Sequence, residues 1–155
     1  MSEPYSKTLY ARWGDMDFNG HMRNTAYLDA SADVRMMFFA EHGFPAREFV
    51  RRRIGPVILR DELDYWRELQ LLDAVDVELL AGGGSEDGSH FRLRNDFSTP
   101  EGKRVARVVS VGGWLDLARR RLVAPPPELL ELMRSIPPSE DFTVLESRVR
   151  GDGEG

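Results

Sequence analysis

The fold of this chain is decided by residues 12–27, which read RWGDMDFNGHMRNTAY. This stretch holds two acids, two glycines, a histidine and two asparagines, and no other part of the chain combines acid, base and glycine so closely. Before it, residues 7–13 alternate between two faces, which predicts a short strand. After it, the apolar spacing over 26–42 becomes helical, with Asn24 or Thr25 as the expected N-cap. We therefore expect a functional loop between a strand and a long helix.

The later elements are predicted from periodicity and turn residues. Gly43 is expected to end the long helix, and a short basic helix over 47–53 follows it. Gly112-Gly113 indicates a bulge or a close backbone approach within a strand. Proline in the first turn predicts a helix over 128–134. Alternating residues predict four further strands, at about 57–69, 75–79, 91–97 and 103–117. A hairpin loop is predicted over Gly82–Gly88, between the second and third of these strands.

A strand, a long helix and then four strands joined by short turns are typical of a two-layer α+β domain. We predict a five-stranded antiparallel sheet wrapped around one long helix. Because one helix cannot cover five strands, the sheet needs another partner, and dimerisation would supply it. We assign residues 1–136 to this domain and 137–155 to a polar C-terminal tail, with residues 151–155 frayed.

Composition excludes several classes of protein. The chain has 155 residues, of which 41% are hydrophobic, and this suits one domain with one core. Its net charge of -5 argues against nucleic-acid binding. Without cysteine it has no disulfide, thiolate metal site or cysteine nucleophile, and its three scattered histidines predict no metal site. No apolar run approaches the ~20 residues of a membrane span, so we expect a cytoplasmic protein without a cofactor.

The motif in residues 12–17 and 20–24, followed by Tyr27, resembles the N-terminal signature of hotdog-fold acyl-CoA thioesterases of the 4-hydroxybenzoyl-CoA thioesterase type. Three later segments, 65–75, 101–106 and 125–133, are similar to that family in the same order. The resemblance covers roughly residues 5–135. His21 and Asn24 differ from the 4-hydroxybenzoyl-CoA enzyme and resemble a broader branch of the family, whose substrates are often fatty or unassigned acyl-CoAs.

The resemblance implies a homodimer that often pairs into a tetramer. Its active sites would lie at the dimer interface, with the pantetheine of an acyl-CoA substrate in a tunnel between subunits. The catalytic carboxylate of the family falls on Asp17, and the amide that polarises the thioester carbonyl falls near Asn24. The strand that starts with Pro56, Val57 and Ile58 would pass the acyl end of the pocket.

The residue types fit this chemistry. Thioester hydrolysis needs a carboxylate that attacks or activates water, which Asp17 can supply as nucleophile or general base. It also needs a donor to the oxyanion, which the amides at the start of the long helix can supply. Gly20 would let the backbone approach the substrate, and the adjoining Met22 and Arg23 are further candidates for substrate binding.

Other roles remain open for the same residues. Asp17 could simply form a turn, His21 could orient Asp17 or tie the loop to the backbone, and Asn24 could be only a cap. We expect Asp15 to brace the loop through hydrogen bonds and Tyr27 to lie in the core. Four arginines could meet CoA phosphates or simply cover outer strand faces, namely Arg92, Arg94, Arg104 and Arg107.

Two other functions fit a hotdog domain. A hydratase or dehydratase would use a histidine with an acid on the helix, for which Asp29 and Asp33 are candidates. A module that only binds acyl thioesters would not need Asp17. The Asp17 motif favours hydrolysis of an acyl-CoA to a carboxylate and free CoA.

Overall fold

The computed structural model describes residues 3–149. The helices are α1 (Ala26–Glu41), α2 (Ala46–Arg52) and α3 (Pro127–Arg134), and a single 3-10 turn covers Trp13–Asp15. The strands are β1 (Tyr5–Tyr10), β2 (Ile54–Tyr65), β3 (Ala74–Ser85), β4 (His90–Ser98), β5 (Arg104–Asp116), β6 (Arg121–Val123) and β7 (Pro138–Leu145).

The strands form one sheet in the order β1-β3-β4-β5-β2, with β6 added beside β5 and β7 beside β3. All pairs are antiparallel except β3 with β7. The predicted α+β arrangement of a large antiparallel sheet with one long helix is confirmed. The predicted count of five strands is wrong, because β6 and β7 bring it to seven.

Helix α1 lies against the sheet through an apolar stripe that includes Ala26, Ala30, Val34 and Phe38, all buried. Thr25 holds the N-cap position, but its side chain makes no capping hydrogen bond. Residues 42–44 close the other end as predicted for Gly43, which has a φ of +93°. The amide of Phe44 donates back to the carbonyl of Phe39 at 2.8 Å.

The predicted hairpin loop over Gly82–Gly88 is wrong in its first half. Residues 82–85 continue β3, after a register shift between Ala81 and Gly83. A Cβ on Gly83 would lie 2.6 Å from the carbonyl oxygen of Thr143, so the missing side chain lets β7 pair beside β3. The glycines therefore serve close strand packing rather than chain reversal.

Strand β5 shows the same use of glycine. A Cβ on Gly112 would collide with the carbonyl oxygen of Val57, and one on Gly113 would lie 2.7 Å from that of Ser89. The close backbone approach predicted for this pair is confirmed. The bulge lies across from it, in β2 between Ile58 and Arg60.

The C-terminal segment departs furthest from expectation. Residues 138–145, predicted as part of a polar tail, form β7 and pair in parallel with the end of β3. Their acids serve as ion-pair partners, since Arg94 lies 2.9 Å from Glu140 and 3.4 Å from Asp141. Residues 151–155, predicted to be frayed, lie outside the described residues, and the domain limit at residue 136 stays a prediction.

The core consists of two adjoining groups of buried side chains. One lies at the end of the sheet near residues 12–27 and includes Tyr27, Val77 and Phe97. The other lies at the opposite end and includes Phe49 and Trp114. None of the helices in residues 3–149 is both long and apolar enough to cross a bilayer.

Candidate active site

The loop after β1 is closed by backbone hydrogen bonds around Asp17. The Asp17 amide donates to the carbonyl of His21 at 2.9 Å, and the Gly20 amide donates back to the carbonyl of Asp17 at 3.3 Å. Gly20 has a φ of +83°, a conformation that a residue with a side chain rarely adopts. Gly20 therefore shapes this turn, and it does not itself line the cleft described below.

Asp15 braces the same loop from behind, as predicted. Its buried carboxylate accepts from the backbone amide of Arg12 at 3.0 Å and from the guanidinium of Arg12 at 3.1 Å. Hydrogen bonds from the Arg12 side chain hold the pKa of Asp15 below its usual value. The carbonyl of Asp15 also accepts from the amide of Arg23 at 2.8 Å, which ties both ends of the loop together.

The loop holds the Asp17 carboxylate in position and leaves one of its two oxygens accessible. Its Oδ1 accepts from the amides of Asn19 at 2.9 Å and His21 at 3.3 Å. Its Oδ2 lies 3.5 Å from His21 Nδ1, and its side chain is 22% exposed. One oxygen is thus fixed by the turn, while the other lies beside an imidazole and remains accessible.

His21 lies between two carboxylates. Besides Asp17, its Nε2 lies 3.6 Å from Oε2 of Glu68. Both distances are longer than a well-formed hydrogen bond, so the two carboxylates flank the imidazole without bonding to it directly. The sequence carried no signal for this contact, because the alternation of 57–69 predicts only that Glu68 belongs to a strand. The strand ends earlier, at Tyr65, and the Met22 amide bonds to the carbonyl of Leu69 at 2.8 Å.

These groups face a cleft of about 600 Å³, which we call the Asp17 cleft. It is lined by residues from two segments, 17–27 and 65–68: Asp17, His21, Met22, Asn24, Tyr27, Tyr65, Trp66, Arg67 and Glu68. The residues predicted to be catalytic, Asp17, His21 and Asn24, therefore meet here, together with Met22. Four further residues of this wall, Tyr65 to Glu68, are site candidates that sequence reasoning missed.

The other predicted substrate-binding residues are not brought to the Asp17 cleft within one chain. Arg23 donates to Thr25 Oγ1 at 3.1 Å and lies 3.8 Å from Asp29. Pro56, Val57 and Ile58 lie at the far end of β2 from Tyr65, opposite residues 112–114 of β5.

The N-terminus of α1 forms one wall of the cleft. The hydroxyl of Tyr65 donates to the carbonyl of Asn24 at 2.9 Å and fixes this backbone. Within residues 3–149 the amide of Asn24 has no hydrogen-bond acceptor. An unpaired amide at the positive end of a helix dipole is suited to negative charge.

Tyr27 packs against this wall. Its ring is 2% exposed and meets Tyr65 and Phe97 edge to face at 5.3 Å, which confirms its place in the core. Burial, and then the charge of Tyr65, raises the pKa of Tyr27 to about 12, and burial also raises the pKa of Tyr65. Both hydroxyls are therefore neutral donors at physiological pH.

The model of a protein family, the thioesterase-like superfamily, matches residues 11–133. The chain belongs to this superfamily. The match begins just before the Asp17 loop and ends in α3, and it confirms the resemblance found in residues 12–27. No curated protein matches the chain in sequence.

Solved structures resemble this superfamily member in fold. SAV2348 of Staphylococcus aureus, a hypothetical protein characterised in complex with CoA, is 20% identical with a TM-score of 0.79, over 88% of this chain and 87% of that chain. Slr0204, a 1,4-dihydroxy-2-naphthoyl-CoA thioesterase from Synechocystis, is 12% identical with a TM-score of 0.76, over 86% and 97%. YbaW, a probable thioesterase from Escherichia coli, is 19% identical with a TM-score of 0.68, over 85% and 98%.

Three of the four candidate arginines of this thioesterase-like protein are paired with carboxylates. Arg94 is buried and bonds to Asp96 and Glu140, Arg107 bonds to Asp96 at 2.7 Å, and Arg92 lies 3.8 Å from Asp141. These three arginines therefore have carboxylate partners within the chain. Arg104 instead stacks on Trp66, with its guanidinium carbon 3.7 Å from the ring centroid, beside the Asp17 cleft.

The acids of α1 do not join His21. Asp33 lines a separate pocket beside β1, and Asp29 pairs with Arg23. No cluster of three or more histidine and acidic residues within 3–149 could hold a metal ion. The chemistry available to the cleft is therefore that of Asp17, His21, Glu68, Tyr65 and the start of α1.

Proposed function

We propose that this protein is an acyl-CoA thioesterase, which hydrolyses a thioester to a free carboxylate and CoA. The observation that carries the proposal is one cleft lined by both Asp17, whose carboxylate is accessible, and Asn24, whose amide is unpaired within residues 3–149. Membership of the thioesterase-like superfamily supports it, as does the CoA complex of the similar protein from Staphylococcus aureus.

Asp17 would act as general base or as nucleophile. As a base, it takes a proton from water while the water oxygen attacks the thioester carbonyl carbon. The tetrahedral intermediate collapses, the C–S bond breaks, and the CoA thiolate takes up the proton. As a nucleophile, it forms a mixed anhydride and expels CoA, and water then hydrolyses the anhydride. Both routes end in the same products.

The start of α1 would stabilise the charge that develops on the carbonyl oxygen. The Asn24 amide is available for that oxygen, and the hydrogen bond from Tyr65 holds the backbone so that little reorganisation is needed. His21, between Asp17 and Glu68, would steady the charge and position of the Asp17 carboxylate.

Strand β2 supports the proposal that the working form is a homodimer, which can pair further into a tetramer. It is a 12-residue edge strand, and Leu59 is 50% exposed beside a half-exposed Ile58. An unpaired edge strand with exposed apolar residues is a template for pairing with another chain. Antiparallel pairing of two copies of β2 would bring Pro56–Ile58 of one copy towards Tyr65 of the other. This would give those residues their proposed contact with the acyl group.

Thiol release from a panel of aliphatic and aromatic acyl-CoAs tests the function. We expect turnover of at least one substrate, and a fall in kcat/KM of about 10²–10⁴-fold for Asp17→Asn, the size of a general-base contribution. Asp33→Asn is the matched control, since it neutralises an exposed acid outside the cleft. Its activity should be unchanged.

The same panel separates the other functions. If no acyl-CoA releases thiol but the protein hydrates a 2-enoyl-CoA, with loss of its conjugated absorbance, the thioesterase proposal is wrong. Binding of acyl-CoA without any turnover would assign a binding module instead. Full activity in Asp17→Asn would remove Asp17 from the mechanism and leave the activity itself standing.

The absence of a cofactor and the cytoplasmic location stay predictions. The assay above addresses the first directly. Purified protein should hydrolyse acyl-CoA without added cofactor and with chelator present, because Asp17 and backbone amides supply every group the proposed steps need.

A further inference from the structure

A second cleft, of about 630 Å³, lies at the opposite end of the sheet from Asp17. We call it the C-terminal cleft, because α3 and β7 form two of its walls. It shares no lining residue with the Asp17 cleft. Strand β3 runs between the two ends, and its twelve residues span on the order of 40 Å.

The floor and walls of the C-terminal cleft are apolar. Gly83 and Gly84 of β3 form a floor without side chains, and the walls come from Leu130 and Met133 of α3 and Phe142 of β7. Phe142 is 44% exposed and Val144 beside it 77% exposed. Such a concave apolar surface, with a volume typical of small-molecule sites, indicates a binding site.

One end of the cleft carries the guanidinium of Arg134. Arg134 lies on the rim and donates to the carbonyl of Glu86 at 2.7 Å, and no carboxylate in residues 3–149 pairs with its guanidinium. His90 is held by the carbonyl of Glu146 at 2.9 Å, and Arg148 Nη2 lies 3.5 Å from His90 Nε2. Arg134 is therefore a guanidinium without a carboxylate partner on the rim, where Glu86 is the one acid among the lining residues, and Arg148 lies outside the lining behind His90.

An apolar cavity with an unpaired guanidinium on its rim suits an amphipathic anion. We propose that the C-terminal cleft binds a fatty carboxylate of medium length, with its aliphatic chain over Gly83 and Gly84 and its carboxylate beside Arg134. The chain's own end does not match the cavity, because residues 150–155, RGDGEG, contain no apolar side chain. The proposal does not depend on the thioesterase function.

Calorimetric titration with dodecanoate, below its micellar concentration, tests the site. Gly84→Leu places a side chain in the cavity, and the backbone tolerates it, since a Cβ there comes no closer than 3.9 Å to the carbonyl of His90. Gly55→Leu is the matched control, a strand glycine whose Cβ would meet only Leu117 at 3.8 Å, outside the cleft. We expect binding at least tenfold weaker in Gly84→Leu and unchanged in Gly55→Leu.

The carboxylate is tested separately. Arg134→Gln should weaken dodecanoate about three- to fivefold, the effect of one exposed ion pair, and leave dodecanol unchanged. Because dodecanoate is also a conceivable product at the Asp17 cleft, binding that survives Gly84→Leu would place it elsewhere and overturn the proposal. No dodecanoate binding by the wild type would also overturn it.

Two controls keep these outcomes clear. Gly84→Val, with a smaller side chain, and a thermal melt of each variant show that lost binding does not reflect lost folding. If Gly84→Leu changes the oligomeric state measured by light scattering while dodecanoate binding is unchanged, the cleft is a contact between copies of the chain and the proposal is wrong.

Discussion

The two clefts of this molecule have similar volumes but are built in opposite ways. The Asp17 cleft takes its reactive groups from one short stretch, 17–27, and completes it with residues 65–68. The C-terminal cleft takes nearly all its surface from segments far apart in sequence, around 81–93, 130–138 and 142–144. In the Asp17 cleft, residues close in sequence supply polar groups in a fixed orientation. In the C-terminal cleft, packing between distant segments creates an apolar cavity.

A test of whether the two ends form one cooperative unit is Trp114→Ala. Trp114 is fully buried among Phe39, Phe49 and Phe91, at the same end of the sheet as the C-terminal cleft. Its removal should lower the free energy of unfolding by about 3–5 kcal/mol. Because the two core groups adjoin, we expect one unfolding transition, in urea followed by circular dichroism, with activity and dodecanoate binding lost together.

Trp114→Phe is the control, since it keeps most of the packing and removes an indole N–H that has no partner among residues 3–149. Two separate transitions in Trp114→Ala, with thiol release intact after dodecanoate binding is lost, would show that the ends are independent.

A change restricted to the Asp17 cleft is Asp15→Ala. It removes hydrogen bonds to the Arg12 backbone and side chain, at a cost of about 1–3 kcal/mol. We expect a lower kcat/KM for thiol release with unchanged dodecanoate affinity, since the loop would hold Asp17 less firmly. Thermal melts and steady-state kinetics measure the two effects.

Asp116→Ala is the matched control at the other end of the sheet. Asp116 braces a turn in the same way, accepting from the amides of Ala118 at 2.9 Å and Arg119 at 3.0 Å. It should lower stability comparably and leave kcat/KM unchanged. An equal loss of activity in both variants would mean that Asp15 acts only through global stability.

The smallest expected effect is the pH dependence that Tyr27 gives to the Asp17 end. Its folded-state pKa is raised to about 12 from an ordinary value near 10, because burial favours the neutral phenol. The stabilisation is present below pH 10 and is lost as the pH rises through 12, by on the order of 1 kcal/mol. Urea midpoints at pH 9 and pH 11 should therefore differ more in the wild type than in Tyr27→Phe. An equal difference in both proteins would assign the effect to other tyrosines, such as Tyr65.

Much of the fold could be predicted from local pattern. Alternation and helical spacing correctly located α1, α3, β4 and β5, and the positive φ of Gly43 was expected from its place after the helix. The predicted secondary structure was wrong where the conformation of a residue depends on a strand that pairs with it from elsewhere in the chain. Glycines 82–84 resemble a turn in isolation, but they continue β3, and at Gly83 the carbonyl of Thr143 in β7 comes too close for a side chain.

The candidate site also contains residues that the sequence predicted and residues that only the structure revealed. Asp17, His21 and Asn24 were found because they lie within one loop that carries a recognisable motif. Glu68 and Tyr65 were missed as site residues because their role depends on where β2 ends and on which loop crosses it. Nothing in the alternation of 57–69 distinguishes a charge that faces solvent from one that faces His21.

The sequence by itself determined the long helix, the antiparallel strands, the acid-rich loop before α1 and the superfamily to which the chain belongs. These depend on side-chain period and on residues close along the chain, for which local preferences are decisive. Only the tertiary structure decided that 138–145 joins the sheet, that Glu68 meets His21, and that an apolar cleft opens between α3 and β7. Each of these depends on contacts between distant segments, whose free energy exists only once the chain has packed.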